Sequence, residues 1–271
     1  MSPTSDLSAS IVIRAHNEAR HIGRLLEGIA SQTVKNVEIV VVDSGSTDGT
    51  LDIVSKYPHK LVHIPPEKFS FGRALNQGAE RASNEFLVLA SAHTFPVYDD
   101  WIESMLAPFS NEKVALTYGC QRGPPTAPFS EQMLFYQWFP AEAREDQEHP
   151  FCNNANAAVR RSAWKDQPYD EELTGLEDLD WAKRAVARGH RIRYVPEATV
   201  MHVHEESSKQ TYRRYFRESL AMSGSTPEIA SPRGTSFVFF LPPWHTIIAR
   251  PRAPNDCHAR SLTSRASAVA R

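Results

Sequence analysis

Cysteine is scarce in this chain, whose 271 residues include only Cys120, Cys152 and Cys257. These three contain no C-x-x-C pair and cannot all pair with one another, so a disulfide framework is not expected. We therefore predict a reducing, cytoplasmic setting. Excess charge is also missing, because 30 Lys and Arg residues stand against 32 Asp and Glu residues and the net charge is −2. That balance gives no electrostatic basis for binding nucleic acid.

Long apolar runs are absent from the sequence as well. No segment approaches the roughly 20 apolar residues that cross a bilayer, and residues 1–10 lack the apolar centre of a signal peptide. The longest candidate, residues 237–248, is interrupted by Pro242 and Pro243. The sequence predicts a cytoplasmic protein whose contact with a membrane, where there is one, is peripheral and at its inner face.

Strand-like and helix-like segments alternate through the first half of the chain. The predicted strands are residues 10–15, 37–42, 61–64 and 85–90, and the first two are apolar and β-branched. Between the first two of these, Ile22, Leu25, Leu26 and Ile29 recur at helical spacing. This alternation predicts an α/β fold with a mainly parallel central sheet flanked by helices.

Polar clusters follow three of these predicted strands directly, at residues 14–18, 43–48 and 91–93. The carboxyl ends of parallel strands meet at one edge of a sheet, and ligands bind at that edge. We therefore expect the three clusters to lie together. Asp43 can accept hydrogen bonds from a nucleobase or a ribose. The alternative is a pair of ordinary strand-to-helix turns, in which Asn17, Ser46 and Asp48 act as helix caps.

The second half of the chain is less regular. Residues 114–120 predict a strand, residues 177–188 a helix, and residues 192–195 and 198–203 two further strands, while residues 124–150 form a long excursion.

Residues 223–271 differ from the rest in composition. They have six Arg, two acidic residues, Glu228 and Asp256, and no Lys. Without a visible period, they predict a poorly ordered tail. The same composition would suit a non-native reading frame.

Two segments now carry a family resemblance. Residues 11–18, IVIRAHNE, and residues 38–50, EIVVVDSGSTDGT, resemble the opening of the family-2 glycosyltransferases, which have the GT-A fold. The Asp-Ser-Gly-Ser variant and residues 69–78, FSFGRALNQG, are more similar to the rhamnosyltransferase-type members. The resemblance extends from about residue 9 to residue 220. It implies transfer of a sugar from a UDP-, dTDP- or GDP-linked donor to a glycan or lipid-linked acceptor.

The resemblance also implies a domain division and a nucleotide site. The GT-A domain spans residues 1–222, with a nucleotide half at about 9–120 and an acceptor half at about 121–222, followed by the tail at 223–271. The residues expected at the nucleotide are Arg14, His16, Asn17, Glu18, Asp43, Ser44, Ser46, Asp48, Arg73, Asn76, Ser91 and Ala92. Arg73 stands two residues before Leu75, where the family often has a phosphate-binding Arg. An Arg on a solvated helix face is the alternative for Arg73.

A departure from the family affects the metal. After the fourth strand, members usually have an Asp-x-Asp or Gln-Asp that holds a divalent cation, and this chain has Ser91-Ala92-His93. We expect Mn or Mg only if histidines take over, with His93 and His202 as the ligands. Imidazole suits Mn, Co or Zn better than Mg. The alternative is that His93 faces the diphosphate as a hydrogen bonder or cation, without a metal.

The remaining motif is acidic and opens a predicted helix. Glu177, Asp178 and Asp180 lie at its amino end, where acids also occur simply as caps. By the resemblance, Asp178 is the general base of an inverting transfer, Glu177 is its neighbour, and Trp181 is an acceptor platform.

Nearby asparagines complete the expected sugar site. Asn153, Asn154 and Asn156 offer donors and acceptors to sugar hydroxyls, although an Asn-rich loop with local backbone bonds would have the same composition. Two other functions stay open at this point. One is a nucleotidyltransferase, and the other is a catalytically impaired protein of the same fold that only binds a nucleotide sugar.

Overall fold

A computed structural model describes residues 7–143, 147, 149–205, 209–213 and 216 of the chain. The predicted tail, residues 223–271, lies outside the described residues, so the proposed domain division stays a prediction. The strands are β1 (Ser8–Ala15), β2 (Asn36–Asp43), β3 (Lys60–His63), β4 (Phe86–Ser91), β5 (Thr94–Pro96), β6 (Val114–Arg122), β7 (Asn156–Arg160) and β8 (Arg191–His202). The helices are α1 (Ile22–Ala30), α2 (Thr50–Val54), α3 (Phe71–Arg81), α4 (Trp101–Leu106), α5 (Phe129–Trp138), α6 (Arg161–Asp166) and α7 (Glu177–Ala187).

The strands form one mixed sheet in the order β3-β2-β1-β4-β7-β6-β8-β5. The first four strands of this order are parallel, as the strand–helix alternation predicts. Their carboxyl ends share one edge, because Ala15 pairs with Asp43, Asp43 with His63, and Arg14 with Ser91. The α/β fold with flanking helices is therefore confirmed, and the three polar clusters follow strands that end side by side.

The other half of the sheet mixes directions. β7 runs antiparallel to both β4 and β6, β6 and β8 are parallel, and the short β5 lies antiparallel to β8. One long strand, β8, replaces the two short strands expected from sequence. The register of β6 and β8 shifts between Gly119 and Gln121, opposite the segment that contains Pro196. The bulge accommodates a residue that has no N–H for the ladder, so the strand continues through the proline.

The core lies against the sheet and includes the predicted face of α1. Ile22, Leu25, Leu26 and Ile29 are all buried. The helix begins at Ile22 and not directly after β1, because Asn17 has φ 56° and the N–H groups of residues 18 and 19 bond to Thr50 and Asp48. Among the described residues, every helix is too short or too polar to span a bilayer.

Candidate active site

Two loops at the sheet edge hold each other in place. The Asn17 N–H donates to Ser46 Oγ at 2.9 Å, and the Thr47 N–H donates to Asn17 Oδ1 at 2.8 Å. The Ala19 N–H donates to Asp48 Oδ2 at 3.0 Å. The side chains of Asn17, Ser46 and Asp48 therefore fix the loops against one another, and none of them is the helix cap of the turn interpretation, since the N-cap residues of α1 and α2 are His21 and Gly49.

Asp43 ends β2 and lies beneath these loops. Its carboxylate is buried and accepts the N–H groups of Gly45 and Ser46, which bend the chain back over it. Gly45 has φ +89°, a conformation that favours glycine. His63 Nδ1 lies 3.4 Å from Asp43 Oδ2, a neighbour that sequence reasoning missed although it ends the adjacent strand. Ser44 is anchored by its N–H on the Ala15 carbonyl.

The cluster after β4 contacts the first loop. His93 Nδ1 lies 2.7 Å from Glu18 Oε1, and Ser91 Oγ lies 3.1 Å from His93 Nε2. Ala92 is fully buried, and its N–H donates to the Arg14 carbonyl at 3.2 Å. Glu18 and Ser91 are thus brought together through His93, as the converging strand ends predict. The Ala92 side chain is enclosed in the core, and only its backbone reaches the loop.

His93 belongs to a cluster with His202 and His204. The His93 and His202 rings stack with centroids 5.1 Å apart, and the His202 and His204 centroids are 4.1 Å apart. Ligating nitrogens from the three residues lie within 4.8 Å of one another, which is close enough to hold one metal ion. The predicted pair of His93 and His202 is thus together. His204 was not in the predicted ligand set, although its i, i+2 spacing from His202 was a signal for it.

Asp178 lies in the first turn of α7, next to the sheet edge. Its neighbour Glu177 forms an ion pair with Arg14, with 3.5 Å between Oε1 and Nη1. The Asp178 carboxylate accepts the N–H groups of Leu179 at 2.9 Å and Asn154 at 3.4 Å. Burial and, after it, the charge of Glu177 raise the pKa of Asp178 from its ordinary 3.8 to about 7, against the opposing hydrogen bonds and Arg14. Asp178 can therefore accept a proton near neutral pH.

Two other ionisable groups surround this carboxyl group. The Cys152 thiol donates to the Asp178 carbonyl at 3.4 Å, and the Tyr169 hydroxyl donates to Asn154 Oδ1 at 3.3 Å. Burial raises the pKa of Cys152 and that of Tyr169 well above their ordinary values, and nearby negative charges add to the effect. Both groups stay protonated at neutral pH, so Asp178 is the group among these three that can act as a base there.

Residues 10–167 match the family described as Glycosyl transferase family 2. The chain belongs to glycosyl transferase family 2. This family-2 chain is 28% identical over 196 residues to O-antigen chain rhamnosyltransferase WbaN of Salmonella anatum. The match covers 68% of this chain and 62% of that relative. It is 23% identical over 222 residues to O-antigen chain rhamnosyltransferase RfbN of Salmonella typhimurium strain LT2, with 78% and 71% covered.

The fold of the family-2 chain is similar to that of a solved structure. Mannosyltransferase PcManGT from Pyrobaculum calidifontis, in complex with GDP-Man and Mn²⁺, superposes with a TM-score of 0.63 at 21% identity. The match covers 79% of this chain and 61% of that one. The family, the GT-A fold and the similarity to rhamnosyltransferases predicted from the motifs are confirmed. The chain spans 62% of the length of WbaN.

Two residues expected at the sugar are in the core of the family-2 chain. Asn156 is fully buried, and its amide makes three hydrogen bonds, from Trp101 Nε1 and to the carbonyls of Cys120 and Ala198. Trp181 is also fully buried, and its Nε1 donates to the Gln167 carbonyl. Neither side chain can contact an acceptor, so these two predictions are wrong. The physical reason is that both polar groups are already used inside the protein.

Asn76 and Arg73, expected at the nucleotide, hold a loop instead. Asn76 Nδ2 donates to the Tyr169 carbonyl at 2.9 Å and to Glu171 Oε1 at 3.0 Å, and its Oδ1 accepts the Tyr169 N–H. Arg73 Nε lies 2.8 Å from Glu171 Oε2. Both polar atoms of the Asn76 amide are bonded inside the protein, and Oδ1 also accepts Trp164 Nε1–H, so the prediction of a nucleotide contact is wrong for Asn76. The ion pair of Arg73 favours a structural role over a phosphate contact.

The other predicted residues line the site or support it. Asn154 is 2% exposed and orders Asp178 through its backbone N–H, while Asn153 Oδ1 accepts the Ala155 N–H at 2.9 Å. His16 is exposed, with Nδ1 3.1 Å from the Ser44 carbonyl oxygen. The sugar contacts expected of Asn153 and Asn154 stay predictions.

Proposed function

We propose that this chain is an inverting glycosyltransferase that moves a hexose or deoxyhexose from a nucleoside-diphosphate sugar to a hydroxyl group. The observation that carries this proposal is the position of Asp178. Glu177, next to it, is paired with Arg14, and Arg14 lies in register with Ser91 one residue before the Ala15–Asp43 pair. A base on α7 therefore stands beside the strand ends where a nucleotide sugar would bind.

The chemistry assigned to Asp178 is removal of one proton. A sugar hydroxyl becomes a good nucleophile only as a base takes its proton, and a positioned carboxylate contributes about 10²–10⁴-fold to such a step. The pKa of about 7 suits this task at neutral pH. The deprotonated hydroxyl oxygen attacks the anomeric carbon, and the bond to the diphosphate oxygen breaks. One displacement inverts the configuration at that carbon.

Asp43 is proposed to hold the base or ribose of the nucleotide. Its carboxylate is fixed by two backbone N–H groups and is flanked by His63, so it presents a rigid acceptor at the end of β2. Ser91 ends β4 and pairs with Arg14 of β1. We propose that the Ser91 side chain reaches the ribose. UDP, dTDP and GDP stay open as the nucleotide.

The diphosphate leaving group needs positive charge beside it. The PcManGT structure was determined with Mn²⁺, which supports a divalent cation here too. Bound at His93 and His202, such a cation would neutralise charge on the leaving group. The histidine cluster fits a divalent ion by its nitrogen spacing. It fits Mg²⁺ poorly, since Mg²⁺ prefers oxygen ligands, and of the two metals expected from the family Mn²⁺ is the better match.

The named relatives support a deoxyhexose donor and a role in cell-surface glycan or glycolipid synthesis. Both WbaN and RfbN are described as O-antigen chain rhamnosyltransferases. We place the reaction on the cytoplasmic side, with a glycan or lipid-linked acceptor. Peripheral contact with the membrane belongs to the same proposal. It is supported by Phe129 and Tyr136, which are 64% and 40% exposed on α5.

The test combines nucleotide binding with a matched pair of variants. Thermal shifts with UDP, dTDP and GDP identify the nucleotide, because binding at a hundredfold excess over Kd stabilises by about 2.7 kcal/mol. With the matching rhamnosyl donor, Asp178→Asn should lower kcat at least 100-fold and leave the nucleotide shift intact. Asp180→Asn, the same change two residues further along α7, should stay within a few-fold of the unaltered chain. Full turnover by Asp178→Asn would refute the proposal.

A further inference from the structure

The strand pairing itself brings three histidines together. His93 lies between β4 and β5, His202 ends β8, and His204 follows two residues later. Thr94 pairs with His202 across the β5–β8 ladder, and the Val203 N–H donates to the His93 carbonyl at 3.0 Å. These backbone contacts hold the chain at residue 93 beside the chain at residues 202 and 203, which brings the three histidines together.

Each of the three rings is oriented by an oxygen from a different part of the chain. Carbonyl or carboxylate partners at Nδ1 fix the tautomer of a metal-binding histidine and raise its basicity. The Nδ1 partners are Glu18 Oε1 for His93 at 2.7 Å, Gln121 Oε1 for His202 at 2.7 Å, and Glu131 Oε1 for His204. This arrangement leaves Nε2 of His202 and His204 to face a metal, and at His93 the metal would replace Ser91 Oγ, which lies 3.1 Å from Nε2.

Helix α5 completes the surroundings of the cluster. It carries Glu131 and, one turn later, Phe135, whose ring centroid lies 5.9 Å from that of His202 and 6.1 Å from that of His204. The apolar ring limits water on one side, while His93 keeps 28% of its side chain exposed on the other. The cluster is therefore enclosed on one side and open on another. This is the form of a metal site that keeps a position for an outside ligand.

We propose that His93, His202 and His204 form a three-imidazole site that takes Zn²⁺ or Co²⁺ in preference to Mn²⁺ or Mg²⁺. Imidazole ligands suit zinc and other late first-row metals, whereas magnesium and manganese are better served by carboxylates and water. The carboxylates of Glu18 and Glu131 lie behind His93 and His204 and would balance the charge of a divalent ion. This deepens the proposed function and rests on it for its catalytic meaning.

Metal binding by the full chain tests the inference without any sugar transfer. The chain is purified without a histidine tag, stripped with a chelator, and titrated with each metal in competition with a chromophoric chelator. We expect one Zn²⁺ or Co²⁺ per chain, bound at least 100-fold more tightly than Mn²⁺, and no measurable binding of Mg²⁺. The Co²⁺ form should show a visible absorption band that reports its nitrogen ligands.

Variants distinguish a site of three histidines from a site that uses only His93 and His202. His204→Ala should weaken Zn²⁺ binding at least tenfold and reduce the Co²⁺ band. Glu131→Gln keeps all three ligands and should weaken it about 10–100-fold as a positioning residue. The control is His190→Ala, because His190 directly precedes β8, at the end opposite His202, and should bind as the unaltered chain. Circular dichroism confirms that each variant is folded.

Several results would overturn the metal site. These are unchanged Zn²⁺ binding in folded His204→Ala, Mn²⁺ bound as tightly as Zn²⁺, or no bound metal at all. The last result would leave the cluster as a metal-free contact for the diphosphate. If the chain binds no metal but its sugar transfer still depends on Asp178, only this inference is refuted. If the chain binds the metal as expected but its sugar transfer does not need Asp178, only the proposed function is refuted.

Discussion

Arg14 Nη1 lies 3.5 Å from Glu177 Oε1, and this ion pair joins the end of β1 to the first turn of α7. The two side chains are only 15% and 7% exposed, so each compensates a charge that would otherwise be partly buried alone. The contact sets the position of the next carboxylate, Asp178. It also sets the charge that Asp178 experiences, since Glu177 raises its pKa after burial does.

Replacing Glu177 by Gln should therefore have two separable effects. Breaking a largely buried ion pair is expected to lower the free energy of unfolding by about 2–4 kcal/mol. Removing the negative charge also lowers the pKa of Asp178, so the rise of kcat/KM with pH should move to lower pH. Urea unfolding and a pH–rate profile measure the two effects. The control is Glu172→Gln, which changes an exposed neighbour. If the rise of kcat/KM stays at the same pH in Glu177→Gln, the electrostatic role of Glu177 is contradicted.

The parallel half of the fold follows from sequence because its pattern is local. Short apolar runs identify β1, β2, β3 and β4, and the polar clusters that follow β1, β2 and β4 mark the binding edge. The position of Asp178 follows from its motif in the same way.

The contacts of the site do not follow from sequence, since they join distant segments. Asn153, Asn154 and Asn156 are nearly indistinguishable in sequence, yet only Asn156 begins a strand and reaches two carbonyls in the core. Likewise His204 meets Glu131 from 73 residues away, and no local pattern connects them.

Gly72 allows the loop before α7 to lie against α3. A Cβ at this position would fall 2.0 Å from the Asp170 carbonyl oxygen. Gly72→Ala is therefore expected to lower the free energy of unfolding by about 1–3 kcal/mol through overpacking, and to reduce sugar transfer as the loop shifts.

Gly23 provides the matched control for Gly72. Each is the second residue of its helix, but a Cβ on Gly23 meets only Ile53, at 3.7 Å. Gly23→Ala should raise stability by up to about 1 kcal/mol. Urea midpoints that move in the same direction for both variants would show that the close approach of residue 170 does not matter.

Because the pKa of Asp178 is raised, ionisation of this carboxyl group at high pH destabilises the folded state. In the unfolded chain it ionises near its ordinary pKa of 3.8, and in the folded chain near about 7. Its contribution to stability is therefore full below pH about 4 and is lost as pH rises towards 7. Asp178→Asn should be more stable than the unaltered chain at pH 8 by about 1–3 kcal/mol, less than the roughly 4 kcal/mol of an unscreened shift. Urea unfolding at pH 5 and pH 8 measures the gain, which should shrink at the lower pH, and an equal gain at both would show that the burial of Asp178 does not oppose its charge.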